Sequence, residues 1–144
     1  MTIFVVDGFH FRVRERRILL LRPTPGIEGR PYDATVDPEW IDSVVRVARD
    51  RVPKLREATI DRRACWAGLY EMSPDKHAIV GPTKECPNLY LVNGSSGHGV
   101  MHAPALGHLL AETILDGAAS TLDIAALRPS RFEEGDPNPV SELL

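Results

Sequence analysis

Three glycines, two serines and two histidines fall within residues 94–102, inside the stretch VNGSSGHGVMHAP (92–104). These residue types support several chemistries, and their spacing discriminates among them. Gly97-x-Gly99 after an apolar run has the opening of a dinucleotide fingerprint. However, His102 holds the third glycine position, and no later buried strand completes a βαβ unit. A nucleophile elbow would put Ser95 or Ser96 on a strand-to-helix turn. The Gly-x-Ser-x-Gly pattern is not met, and only His102 and His108, on the same segment, follow as bases. His98, His102 and His108 lack a Glu-x-x-His arrangement or a carboxylate partner, so no metal is expected. Backbone chemistry needs no further residue: glycines let N–H groups approach a ligand closely, and a helix start carries partial positive charge that suits an anion. A tight turn that binds nothing is the other reading the residues leave standing.

Those residues are positioned by an apolar run, LYLV (89–92), and by a helix expected from about 101 to 116. Ala103, Leu106, Leu110 and Ile114 supply its spacing, Pro104 falls in its first turn, and Gly117 ends it. Upstream, the turn SPDK (73–76), a short strand AIV (78–80) ending at Gly81 and Pro82, and the turn CPN (86–88) precede the run. Near the start, Phe9, Phe11 and Val13 alternate with His10, Arg12 and Arg14, the period-2 pattern of a half-buried strand. Glu15, Arg16 and Arg17 turn the chain into the strand ILLL (18–21). A breaker-rich loop follows over 22–31. Asp37 as N-cap and Pro38 at the first position open a helix over about 38–52, with Trp40, Ile41, Val44, Val45, Ala48 and Val52 on its apolar stripe and Pro53 as its stop. A strand is expected over 59–64, and the polar, proline-containing residues 133–144 read as a poorly ordered tail.

The 144 residues suffice for one domain or part of one, and 43% hydrophobic with 26% charged residues is ordinary globular composition. A net charge of −3 argues against a nucleic-acid or anionic-membrane partner; Arg12, Arg14, Arg16 and Arg17 read as a solvated strand face and turn. Cys65 and Cys86 form no disulfide framework or zinc spacing, no signal peptide is evident, and no apolar run reaches the roughly 20 residues of a membrane span. A soluble, cytoplasmic protein is expected.

The stretches WAGLYEMSPDKHAIVGP (66–82) and NLYLVNGSSGHGVMHAPALGHLLAETILDG (88–117) resemble the C-terminal end of the FAD-dependent D-amino-acid oxidase superfamily. The similarity is greatest to the branch of sarcosine, dimethylglycine and glycine oxidase-like enzymes. DPEWIDSVVRVARDRVPKL (37–55) and RPSRF (128–132) carry the same resemblance. It implies an α+β, mixed α/β fold: antiparallel substrate-domain strands joined to the last strand and helix of an FAD-binding Rossmann-like domain, incomplete as a single chain. Residues 1–65 would be a partial substrate-domain sheet, 66–132 the flavin-facing part, and 133–144 the tail.

The resemblance further implies FAD as cofactor. Gly94, Ser95, Ser96, Gly97, His98, Gly99, Val100 and Met101 would meet the flavin ring, mainly through their backbones. Fixed N–H dipoles there would stabilise the negative charge that hydride transfer leaves on the ring. The implied reaction is oxidation of the C–N bond of a small amine or amino acid. The arginine that grips a substrate carboxylate in glycine oxidase-like members is replaced by Tyr70, and the lysine of sarcosine oxidase-like members by Met101. A cation at such a site is hard to replace with either residue, which leaves Arg12 or another chain for that role, and Tyr70 as substrate contact or packing residue. Gly68 falls where sarcosine oxidases carry the flavin-linked cysteine, three residues from Cys65, so covalent attachment is not expected. No ADP-binding fingerprint is present, so completion of the flavin site by a second chain or by self-association is expected. No catalytic acid or base is assigned. The alternative is a non-catalytic fragment that self-associates through exposed strands and binds no flavin.

Overall fold

Alternating apolar residues and a two-residue turn make the first hairpin. β2 (His10–Arg14) and β3 (Arg17–Leu21) pair antiparallel, with Phe11 opposite Leu20 and Arg14 opposite Arg17. Glu15 takes the left-handed conformation at φ 56° that a tight connection between twisted strands requires. β1 (Thr2–Ile3) adds to the outer side of β2. This computed structural model describes residues 1–4, 6–24, 30 and 32–140. Most of the breaker-rich loop at 22–31 and the last four residues of the expected tail lie outside the described residues.

α1 (Pro38–Arg51) starts as the sequence dictates: the Asp37 side chain accepts the Glu39 N–H at 2.9 Å, and Pro38 occupies the first turn. Its stripe buries Ile41, Val44 and Ala48. Val44 and Ala48 join Phe9 and Leu55 in a small core, flanked by Phe4, Phe11, Leu20, Trp40, Val47 and Val52. The strand pattern is buried only at its Phe9 end, since Val13 is 70% exposed. Asp7 forks onto Arg51 at 2.7 and 3.1 Å, and that guanidinium stacks over Phe4. Residues 59–64 form no strand; Arg62–Ala64 is a short 3-10 turn. β-Branched Thr59 and Ile60 favour extension, but they have no strand to pair with among the described residues, and Asp61 accepts the Ala64 N–H and turns the chain instead.

The chain divides into two compact units, Met1–Leu69 and Tyr70–Leu144. In the second, β4 (Ile79–Pro82) pairs antiparallel with β5 (Tyr90–Asn93), with Val80 opposite Val92. α2 (Gly99–Asp116) follows β5 and ends at Gly117, which is left-handed at φ 83°. The helix begins two residues earlier than expected, so Pro104 lies in its second turn and leaves the Val100 carbonyl without its usual donor. Ala78, Val80 and Leu106 form the core, with Leu110, Ile124 and Leu127 packed on it.

Residues 134–138 of the expected tail are tied to the rest of the second unit. Glu134 pairs with Arg128 and Lys84, Asp136 pairs with Arg128, and Asn138 bonds Asp75. Polar composition suggested disorder, but these side chains have specific buried or charged partners that composition does not reveal. Over the described residues the chain is thus mixed α/β, with antiparallel sheets and two α-helices. Among the described residues, no helix is long and apolar enough to cross a membrane.

Candidate functional site

The glycine loop is built by conformations few residues accept. Gly94 has φ 67° and Gly97 φ 87°, and between them Ser96 is also left-handed at φ 49°. A Cβ on Gly94 would stand 3.0 Å from the Ser73 Cβ and 3.4 Å from Ile79, so both its angle and its space require glycine. The segment 71–73 runs beside the loop. Met72 bridges Ser95 in antiparallel fashion, the Ser96 N–H donates to the Glu71 carbonyl at 3.0 Å, and the Ser95 N–H donates to the Glu71 carboxylate at 3.2 Å.

Ser96 is fully buried, and its hydroxyl donates to the Gly94 carbonyl at 3.0 Å while accepting the Ser73 N–H at 3.2 Å. This side chain therefore closes the loop on itself and offers no nucleophile. The N–H of His98 turns back to the Ser95 carbonyl, and those of Met101 and His102 to the His98 carbonyl. Among the described residues, the N–H groups of Gly97, Gly99 and Val100 have no protein acceptor. They are orphan donors at the positive end of an 18-residue helix. Hydrogen-bond donors with no counter-charge in the first turn suit a carbonyl or an anionic edge.

The side chains of Val100 and Met101 are 89% and 64% exposed, at the mouth of this helix start. His98 and His102 stack ring on ring at 5.6 Å, whereas His108 lies farther along α2 beside Thr121 and Glu112. Among the described residues, no three His, Cys, Asp or Glu side chains converge as metal ligands. Tyr70 is 56% exposed and directly precedes Glu71, so it is not a packing residue of this chain's core. Arg12 belongs to the other unit, on exposed β2 opposite Leu19.

Residue types and spacing do not reveal the pairing that supports the loop. Asp75 and Arg131, 56 positions apart, form a fully buried fork, with Nε to Oδ2 at 2.8 Å and Nη2 to Oδ1 at 2.9 Å. All five guanidinium N–H groups are used, the others reaching the carbonyls of Leu127, Arg128 and His77. Asp75 also accepts from the N–H groups of His77 and Asn138 and from the Asn138 amide. Arg131 holds the Asp75 carboxyl far below the ordinary range, against the opposing effect of burial; the His77 and Asn138 bonds add to the lowering. The only sequence signal was a charged residue in each of two segments already quoted, SPD (73–75) and RPSRF (128–132).

A glycine loop thus turns an antiparallel strand into a long helix whose start, among the described residues, carries N–H groups without a protein acceptor. The family described as FAD dependent oxidoreductase (DAO) matches residues 2–113, and the chain belongs to that family. It is 36% identical over 117 residues to the FAD-dependent oxidoreductase domain-containing protein 1 of Bos taurus, covering 79% of this chain and 24% of that protein. It is 30% identical over 110 residues to a glycine oxidase of Bacillus licheniformis, covering 75% of this chain and 29% of the enzyme. An L-proline dehydrogenase from P. horikoshii superimposes with a TM-score of 0.77 at 30% identity, over 92% of this chain and 34% of the dehydrogenase. The chain thus spans about a quarter to a third of the length of these relatives.

Proposed function

We propose that the chain supplies the flavin-facing, C-terminal part of an FAD-dependent oxidoreductase that oxidises the C–N bond of a small amine or amino acid. The observation that carries this reading is the set of unengaged N–H groups at Gly97, Gly99 and Val100, in a chain of the FAD-dependent family. Residues 94–101 would hold the flavin ring, chiefly through their backbones. FAD supplies the hydride acceptor. The chain's own contribution is a rigid row of N–H dipoles that stabilises negative charge at the ring edge without having to reorganise. Residues 1–65 would belong to the substrate-domain sheet and 66–132 to the flavin-facing part, a reading supported by the division into two units at residue 69.

Substrate contacts are proposed for Tyr70 and Met101, whose exposure leaves them available, and for Arg12. The names of similar proteins, glycine oxidase and N-methyl-L-tryptophan oxidase among them, support an amino-acid or N-methylated amino-acid substrate. The 144 residues hold no fingerprint for the ADP half of FAD, so that half of the cofactor would be held by residues outside this sequence, whether elsewhere in the same protein, on a second chain or on a second copy.

The test is the visible spectrum of the purified chain after FAD is added and the excess removed. A retained flavin band that bleaches with an amine supports the reading. If no flavin is retained, either alone or with a chain carrying the ADP-binding fingerprint, the reading fails. A second reading, a self-associating fragment that binds no flavin, is favoured by one observation: Ile114 and Leu115 near the end of α2 are 49% and 80% exposed. It predicts a concentration-dependent mass by light scattering and no flavin band under any condition.

A further inference from the structure

We infer that the buried Arg131–Asp75 pair is a latch for the glycine loop, acting through Ser73 and Ser96, which makes Ser73, Asp75 and Arg131 positioning residues for the flavin-facing backbone. The inference goes beyond the proposed function in naming what aims the loop, and its relevance to redox chemistry rests on that reading.

The connection runs through consecutive contacts, all within the second unit. Arg131 forks onto Asp75. The Ser73 hydroxyl lies 3.2 Å from Asp75 Oδ1 and 2.7 Å from the His77 carbonyl, sharing its proton between them. The Arg131 Nη2 reaches the same His77 carbonyl at 3.1 Å. The Ser73 N–H donates to Ser96 Oγ, and that hydroxyl donates to the Gly94 carbonyl. Ser73, Asp75, Ser96 and Arg131 are all buried, and no buried side-chain polar atom among the described residues lacks a partner.

This arrangement has a physical task. Ser96 has a Cβ and φ 49°, a conformation that persists only when its surroundings fix it. Its own backbone N–H is held by the Glu71 carbonyl and its side chain by Ser73. Segment 71–73 therefore grips the loop, and the Arg131–Asp75 fork grips segment 73–77. Asn138 adds two bonds to Asp75 from beyond Arg131, so the stretch 128–138 closes over the arrangement. If the fork is loosened, segment 71–73 can shift, and Ser96 can leave its left-handed state. The N–H groups of Gly97 and Gly99 are then no longer held in place.

The test uses amide hydrogen exchange in the full chain without flavin, on wild type and the variants Ser73→Ala, Arg131→Lys and Ser96→Ala. Ser73→Ala and Ser96→Ala delete single hydroxyls, so they keep the test valid if Arg131→Lys does not fold. The amides of Ser73, Ser95 and Ser96 report on the loop, and that of Leu109 in mid-α2 reports on global opening. Loss of one bond in the series is expected to speed exchange at the loop about tenfold, with Leu109 changed less than about twofold. A merely structural role would instead speed loop and Leu109 amides in step, and that outcome, or unchanged loop exchange, overturns the inference. Flavin retention by wild type is read separately: its absence both alone and with a chain carrying the ADP-binding fingerprint defeats the proposed function and leaves the exchange result, and so the latch, to be decided on its own.

Discussion

At the scale of single residues, the site depends on backbone angles more than on reactive side chains. Gly94 combines φ 67° with a position where an added Cβ would stand 3.0 Å from the Ser73 Cβ. Gly94→Ala is expected to destabilise the chain by about 1–2 kcal/mol, the cost of a left-handed alanine, with any steric strain added. Urea unfolding measures it, and an unchanged midpoint would show that the loop relaxes freely. Gly8 poses the same problem in the other unit, where φ is 67° and a Cβ would meet the Pro23 ring at 2.8 Å. The sequence made the glycines of 94–99 visible. It could not show that Ser96 shares their conformation, because a left-handed serine is selected by its tertiary hydrogen bonds and not by its type.

At the scale of elements, local signals placed both helices and most strands. α1 carries its whole start signal in Asp37, Pro38 and Glu39. Asp37→Ala removes the cap bond to the Glu39 N–H and is expected to cost about 1 kcal/mol, read as a lower thermal midpoint with unchanged helix content at low temperature. α2 was harder to bound. Its first residues, Gly99 and Val100, are poor helix formers that suit a loop, yet the His98 carbonyl accepts both the Met101 and His102 N–H groups and starts the helix early. The strand expected at 59–64 failed for lack of pairing. Extended propensity is a local quantity, whereas a strand needs a neighbour that the rest of the chain must bring.

At the scale of the whole molecule, carboxylates tie distant segments together and set its response to acid. Glu112 is held at about 2 by Thr121 first and by Ser120, and Glu134 at about 2 by Ser130, Arg128 and Lys84. Asp75 lies lower still, held chiefly by Arg131. These groups stay ionised in the folded chain where the unfolded chain takes up protons, starting near the ordinary values of 4.5 for Glu and 3.8 for Asp. Their stabilisation is therefore complete above that range and is lost as pH falls toward 2. The urea midpoint is expected to hold steady near neutral pH and to fall continuously from about pH 5 to about pH 2. A midpoint that rises over this interval would contradict the carboxylate assignments.

The sequence by itself determined the helices, the hairpin and the glycine loop with its resemblance to FAD-dependent enzymes, because each is written in neighbouring residues: a cap, an alternation, a run of glycines. Only the tertiary structure decided that Asp75 and Arg131 meet, that Asn138 closes over them, and that Ser73 passes their hold to Ser96. Their partners lie 23 to 63 positions apart. Nothing local to either member records such a pair, since a buried charge is stable only once the fold has delivered its counter-charge.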